Sequence, residues 1–162
     1  MIKVLFVCLG NICRSPMAEF VLKDIINKKG LSSEFYIDSA ATDDYNEKVR
    51  AGIYQDTKDI LKEMDVPFTE HISRQIKKED YNKFDYILGM EERNVLDILK
   101  IVGSDEQYKV HRLLDYTENP RDIIDPWYYG NFDSTYYDIL YGCEKFLEYL
   151  QKNNYIKWGK FY

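Results

Sequence analysis

The chain has 162 residues, 45% of them hydrophobic and 31% charged, a mixture that fits one globular domain burying roughly 70% of its unfolded surface without help from disulfides or metals. Its net charge of −6 argues against a nucleic-acid binder, which needs a surplus of Lys and Arg to neutralise phosphates. Three cysteines, an odd number, do not read as a disulfide framework, and the apolar run at the N-terminus is too short for a signal peptide or a membrane span. The expectation is a soluble, cytoplasmic, monomeric protein with no nucleic-acid or membrane partner.

In chain order, residues 2–7 are apolar and β-branched on both faces, as a buried parallel strand requires. A loop of residues 8–15 follows, then a helix from Pro16 to about Lys29, with Ser15 as N-cap, Pro16 at the first helical position and Gly30 as the stop. Residues 35–38 read as a strand and 56–64 as a helix with Ile60, Leu61 and Met64 on one face. Residues 86–90 form a buried strand, 92–100 a helix and 110–114 a further strand. The clearest helix is 134–151, on which Tyr136, Ile139, Leu140, Cys143, Phe146, Leu147 and Leu150 form one apolar stripe. Strands alternating with helices predict a single α/β domain: a mainly parallel four-stranded central sheet with helices on both faces, ending in a short aromatic and basic tail over 155–162. Ligands in such folds sit beyond the carboxyl ends of the strands.

The 8–15 loop, Cys8-Leu9-Gly10-Asn11-Ile12-Cys13-Arg14-Ser15, lies where such a ligand is expected. Successive backbone N–H groups in a tight loop make an anion nest, and the helix behind adds the positive end of its dipole. Arg14 offers a planar two-pronged donor for phosphate oxygens, and Gly10 relieves backbone strain. A free cysteine is only a few per cent thiolate at neutral pH, and positive surroundings raise that share. Cys8 is therefore expected to be a thiolate nucleophile that takes a phosphoryl group. The leaving oxygen needs a proton donor. The candidate is Asp125, in Ile123-Ile124-Asp125-Pro126-Trp127-Tyr128-Tyr129-Gly130, although a turn Asp before Pro is also common for purely local reasons.

Other classes fit less well. A non-catalytic phosphate-binding module explains the nest and Arg14 but leaves Cys8 and Asp125 without a task. A cysteine–histidine hydrolase or a metal site has only His71 and His111 to draw on, with no Cys-x-x-Cys pair, so neither metal nor other cofactor is expected.

Val7-Cys8-Leu9-Gly10-Asn11-Ile12-Cys13-Arg14-Ser15-Pro16 resembles the phosphate loop of the low-molecular-weight protein tyrosine phosphatases, and Asp125-Pro126-Trp127-Tyr128 resembles that family's general-acid loop. Residues 37–42, His71 with Arg74-Gln75, and 84–88 resemble family segments in the same order, so the likeness runs from about Lys3 to Leu150. The resemblance implies hydrolysis of phosphotyrosine, in a protein or as a small aryl phosphate, through a cysteinyl-phosphate. It implies Cys8 as nucleophile, Arg14 as phosphate clamp and Asp125 as acid, then base. Asn11 would brace the loop through Ser39 and His71. Ser15 would donate to the Cys8 sulfur. Gly10 and Cys13 would complete the loop around the phosphate, and Leu9, Ile12, Tyr45, Trp127 and Tyr128 would line the ring slot. Relatives that prefer phosphoarginine carry Thr where this chain has Ile12, whose larger apolar surface favours an aromatic ring.

Cys13 would act as resolving partner for an oxidised Cys8, while Cys143 lies on the apolar stripe as a core residue. An arsenate reductase of the same fold would need two further redox cysteines, and only Cys143 remains. Two departures stand out. Relatives often carry Gly-x-Pro-Pro-Asp where this chain has Gly52-Ile53-Tyr54-Gln55-Asp56, and position 91 is Glu where many have Asp.

Overall fold

The computed structural model describes residues 1–156, so most of the tail expected over 155–162 lies outside the described residues. Four strands, β1 (Ile2–Cys8), β2 (Phe35–Ala41), β3 (Tyr86–Gly89) and β4 (Val110–Arg112), pair in parallel in the order β2-β1-β3-β4. β1 is central and apolar on both faces, as its sequence demands. Val4, Phe6 and Cys8 join one buried cluster and Leu5 and Val7 another. The first cluster lies beneath α1 (Arg14–Lys28), α3 (Gln55–Glu63) and α7 (Phe132–Lys152). The second lies beneath α5 (Glu92–Val102), with Ile98 and Val102 buried against Leu5, Ile87 and Val110. Helices therefore cover both faces of an all-parallel sheet, as read from the sequence.

Several boundaries differ from the sequence reading. The first helix begins at Arg14, so Ser15 and Pro16 are its second and third residues and Cys13 stands at the N-cap with no side-chain capping bond. The cap is missing because the Ser15 hydroxyl is engaged elsewhere, and Pro16 still falls within the first turn, where no N–H is needed. β2 runs three residues past Asp38, because Ala40 and Ala41 pair alongside Val7 and Cys8. β4 stops at Arg112, and Leu113–Tyr116 turns tightly as a 3₁₀ segment that buries Leu113 and Leu114. The last helix starts at Phe132, because the Asn131 side chain accepts from Ser134 N and caps it. Three one-turn helices, α2 (Tyr45–Lys48), α4 (Asp80–Lys83) and α6 (Pro126–Tyr129), are too short to carry a periodic signal.

The chain leaves β1 for β2 on one side of the sheet and later places β3 on the other side. This reversal opens a crevice beyond the carboxyl ends of β1 and β3, where the 8–15 loop and Glu91 face one another.

Candidate active site

The 8–15 loop is held by named bonds on every side. The Gly10 carbonyl accepts from Asn46 Nδ2 and Ser73 Oγ, both at 2.9 Å. Positive φ falls at Asn11 (55°) rather than at Gly10, which corrects the role expected for the glycine. A Cβ at position 10 would lie 2.7 Å from Asn46 Nδ2, so that side chain would have to shift from its bond to the Gly10 carbonyl. Asn is among the residues that tolerate a left-handed turn, and the buried Asn11 side chain is held by three hydrogen bonds. Oδ1 accepts from His71 Nε2 at 2.9 Å and Arg74 N at 3.2 Å, while Nδ2 donates to Ser15 Oγ at 2.8 Å.

Proton accounting orders this network. Asn11 Oδ1 only accepts, so His71 Nε2 carries a proton. Burial, the largest influence, pushes the His71 imidazole below its ordinary pKa against the opposing pull of Glu19 and Asp38. Its Nδ1 then faces Glu19 Oε1 at 3.9 Å without a proton of its own. Ser15 Oγ accepts from Asn11, which leaves its single proton for Cys8 Sγ at 3.0 Å or Ala40 O at 3.3 Å. In the first arrangement Ser15 is a donor to the sulfur. Asn11 N adds a second donor to Sγ at 3.3 Å. Ser39 does not brace Asn11 as expected from the resemblance. Its hydroxyl donates to Glu19 Oε1 at 2.6 Å, so it holds the carboxylate behind His71.

Arg14 is 2% exposed. Its Nη1 donates to Glu91 Oε2 at 2.6 Å and to the Ile123 carbonyl at 2.8 Å, and Nη2 lies 3.5 Å from Asp125 Oδ2. Burial opposes its charge, but Cys8, Glu91 and Asp125 outweigh burial and raise its pKa above that of an ordinary arginine. The Cys13 thiol is pushed up to about 12, chiefly by burial, so it stands in the loop as a neutral thiol. Cys143 is wholly buried, as its place on the apolar stripe requires.

Asp125 is the N-cap of α6, and its Oδ1 accepts from Trp127 N at 3.0 Å. The loop that carries it is tied down from behind. Ile123 N donates to Met90 O at 2.9 Å, and Arg121 forms a two-pronged pair with Asp138 at 2.7 and 2.9 Å.

Between the two loops lies a cleft of about 300 Å³ lined by Cys8, Leu9, Gly10, Ile12, Cys13, Arg14, Tyr45, Asp125, Trp127 and Tyr128. Asn46 lines it too and was not anticipated. Asn11, Ser15 and His71 stand behind this lining as support, and His111 is remote, turned to Tyr108 O. Among the described residues no group of three His, Cys, Asp or Glu is arranged to hold a metal, and no helix is long and apolar enough to cross a membrane. The sequence reading did not foresee Glu91, Glu19 or Asn46. Only Glu91 had a positional signal, as the second residue beyond β3 at the crevice.

Residues 3–155 match the family model described as low molecular weight phosphotyrosine protein phosphatase. The chain is 39% identical to the low molecular weight protein-tyrosine-phosphatase YfkJ of Bacillus subtilis, over 94% of this chain and 97% of that protein. It is also 39% identical to the human low molecular weight phosphotyrosine protein phosphatase, over 90% and 93%. The crystal structure of YfkJ superposes with a TM-score of 0.87. That of the Streptococcus pyogenes enzyme SP-PTP, 37% identical, superposes with 0.83 over 96% of this chain and 97% of that one.

Proposed function

Because the chain belongs to the low molecular weight phosphotyrosine protein phosphatase family, we propose that its crevice hydrolyses phosphotyrosine with Cys8 as nucleophile, Arg14 as clamp and Asp125 as proton donor. The enzyme is a phosphoric monoester hydrolase that works through a cysteinyl-phosphate. The observation that carries the assignment of roles is the sulfur of Cys8. Asn11 N donates to it, Ser15 Oγ lies within hydrogen-bond distance at 3.0 Å, and it shares one cleft with Arg14 and with the carboxylate of Asp125.

In the first step Sγ attacks phosphorus, the P–O bond to the phenol breaks and Asp125 delivers its proton to the departing oxygen. In the second, water loses a proton to Asp125, attacks the cysteinyl-phosphate and releases inorganic phosphate and thiolate. Ser15 stabilises the thiolate when it forms. Glu91 and the Ile123 carbonyl fix one prong of Arg14, and the other, 3.5 Å from Asp125 Oδ2, is the one assigned to the anion. Ile12 with Leu9, Tyr45, Trp127 and Tyr128 supplies apolar wall for an aromatic ring. That composition supports phosphotyrosine, on a protein or as a small aryl phosphate, over phosphoarginine. All these residues come from one chain, so a monomer suffices. A thiol nucleophile and three free cysteines suit a reducing compartment such as the cytoplasm.

The test is the pH–rate profile for p-nitrophenyl phosphate. Cys8→Ser is expected to be inactive, and Asp125→Asn to lose about 10²–10⁴-fold together with the limb of the profile that reports the acid. A wild type without turnover would reduce the loop to a phosphate-binding site.

A further inference from the structure

The base of the acid loop is bonded to the sheet and to α7, but its tip is held differently. Trp127 and Tyr128 are 56% and 72% exposed, and α6 is a single turn ending at a left-handed Gly130. One side chain reaches this tip from the opposite wall of the crevice. Tyr54 precedes α3, and its backbone N–H donates to the Ile12 carbonyl at 2.9 Å. Its backbone is therefore fastened to the outer turn of the phosphate loop. Its ring leans on Trp127, with centroids 4.7 Å apart at 60°, and stacks on Phe132 at 6.0 Å and 14°. The Trp127 backbone N–H in turn donates to Asp125 Oδ1. An unbroken path thus runs from Ile12, through Tyr54 and Trp127, to the carboxylate.

We propose that Tyr54 is a positioning residue: its ring joins the acid loop to the phosphate loop and sets the reach between Asp125 and the oxygen leaving the phosphorus on Cys8. Tyr54 is not part of the cleft lining, so it acts through Trp127 and not on the substrate. Aromatic pairs of this kind attract beyond the area they bury, which biases the placement of a one-turn helix. Proton transfer depends steeply on placement, since a misplacement of about 1 Å can cost 10²-fold. The proposal rests on Asp125 being the acid.

The experiment measures kcat/KM over aryl phosphates whose phenols range from strongly to weakly acidic, because the need for the proton grows as the leaving group becomes poorer. Wild type is expected to vary little across the series and Asp125→Asn to fall steeply toward phenyl phosphate. Tyr54→Ala is expected to lose about tenfold on phenyl phosphate and less than threefold on the most acidic phenol. Tyr54→Phe, which keeps the ring that makes both contacts, should follow wild type. Tyr54→Ala added to Asp125→Asn should cost nothing further on phenyl phosphate. Should Tyr54→Ala not fold, Tyr54→Leu keeps apolar bulk without the flat ring and is expected to show the same tilt. An equal loss across all phenols, no loss, a Tyr54→Phe defect matching alanine, or an additive double variant would each overturn the joint. A flat series for Asp125→Asn would instead overturn the acid assignment beneath it.

Discussion

At the scale of single residues, Cys8 and Arg14 could be nominated from one contiguous motif, whereas Asp125 before Pro126 had an equally good local reading and was singled out by the resemblance; the structure brings the three to one cleft. Glu91, Glu19 and Tyr54 could not be nominated in this way, because each acts on a partner dozens of positions away, and an isolated Glu or Tyr has many commoner uses. His71 shows how such support works. Burial holds its pKa below the ordinary histidine value, with Lys23 and Arg74 acting in the same direction and Glu19 and Asp38 against. The unfolded chain therefore binds this proton more readily than the folded one. Stability from neutral His71 is complete above the unfolded pKa of about 6.5 and is lost as pH falls from there through the depressed folded value. His71→Gln keeps an N–H for Asn11 Oδ1 and removes the titration. Its midpoint of thermal unfolding is expected to decline less than that of the wild type between about pH 6.5 and 5. Parallel declines would remove His71 as a source of the acid lability.

Among the elements, every long helix and every strand was legible from periodicity and composition, because one face or both must be buried. The misplaced helix start is instructive. Ser15 followed by Pro16 has the composition of an N-cap, and the structure spends that hydroxyl on the Cys8 sulfur instead. Local rules gave way where a function took the side chain. Gly142 is a second such conflict. It sits inside α7, where glycine costs about 1 kcal/mol relative to alanine. It is there because α7 lies directly on the 3₁₀ turn: a Cβ would come 2.6 Å from Leu113 Cγ and 3.0 Å from Leu114 Cδ2. Cγ is a branch point close to the backbone and has little room to move. Gly142→Ala should therefore lose more by overpacking than it gains in helix propensity, and be less stable by about 1–3 kcal/mol in urea or thermal unfolding. A variant as stable as wild type would mean that the turn yields to α7. The same turn carries the chain toward Arg121 and the acid loop, so its packing bears on the site.

At the scale of the whole molecule, the fold class followed from the alternation of strands and helices, and the site from the rule that such sheets bind at a reversal of strand order. The sequence could not show which residues would face each other across that crevice, since Arg14 meets Glu91 and Asp125 only once the strand order is β2-β1-β3-β4. The assembled crevice also resolves an apparent conflict. A chain of net charge −6 repels anions at a distance, yet its site must hold a dianion. An anion placed there would meet the buried Arg14 guanidinium, the start of α1 and the Asn11 N–H at short range, where little water screens them. An oxyanion bound only by the folded state raises stability by about 2.7 kcal/mol at a hundred times its Kd. For a chain of this size that corresponds to about 5–11 °C in Tm. Tungstate, a tetrahedral oxyanion, is expected to produce a shift of that order in the wild type. Arg14→Lys keeps the charge but not the planar pair of donors, so most of the shift should vanish whatever its starting Tm. An equal shift in Arg14→Lys would place the anion in the backbone nest alone, and no shift in the wild type would mean that these three contributors had built no anion site.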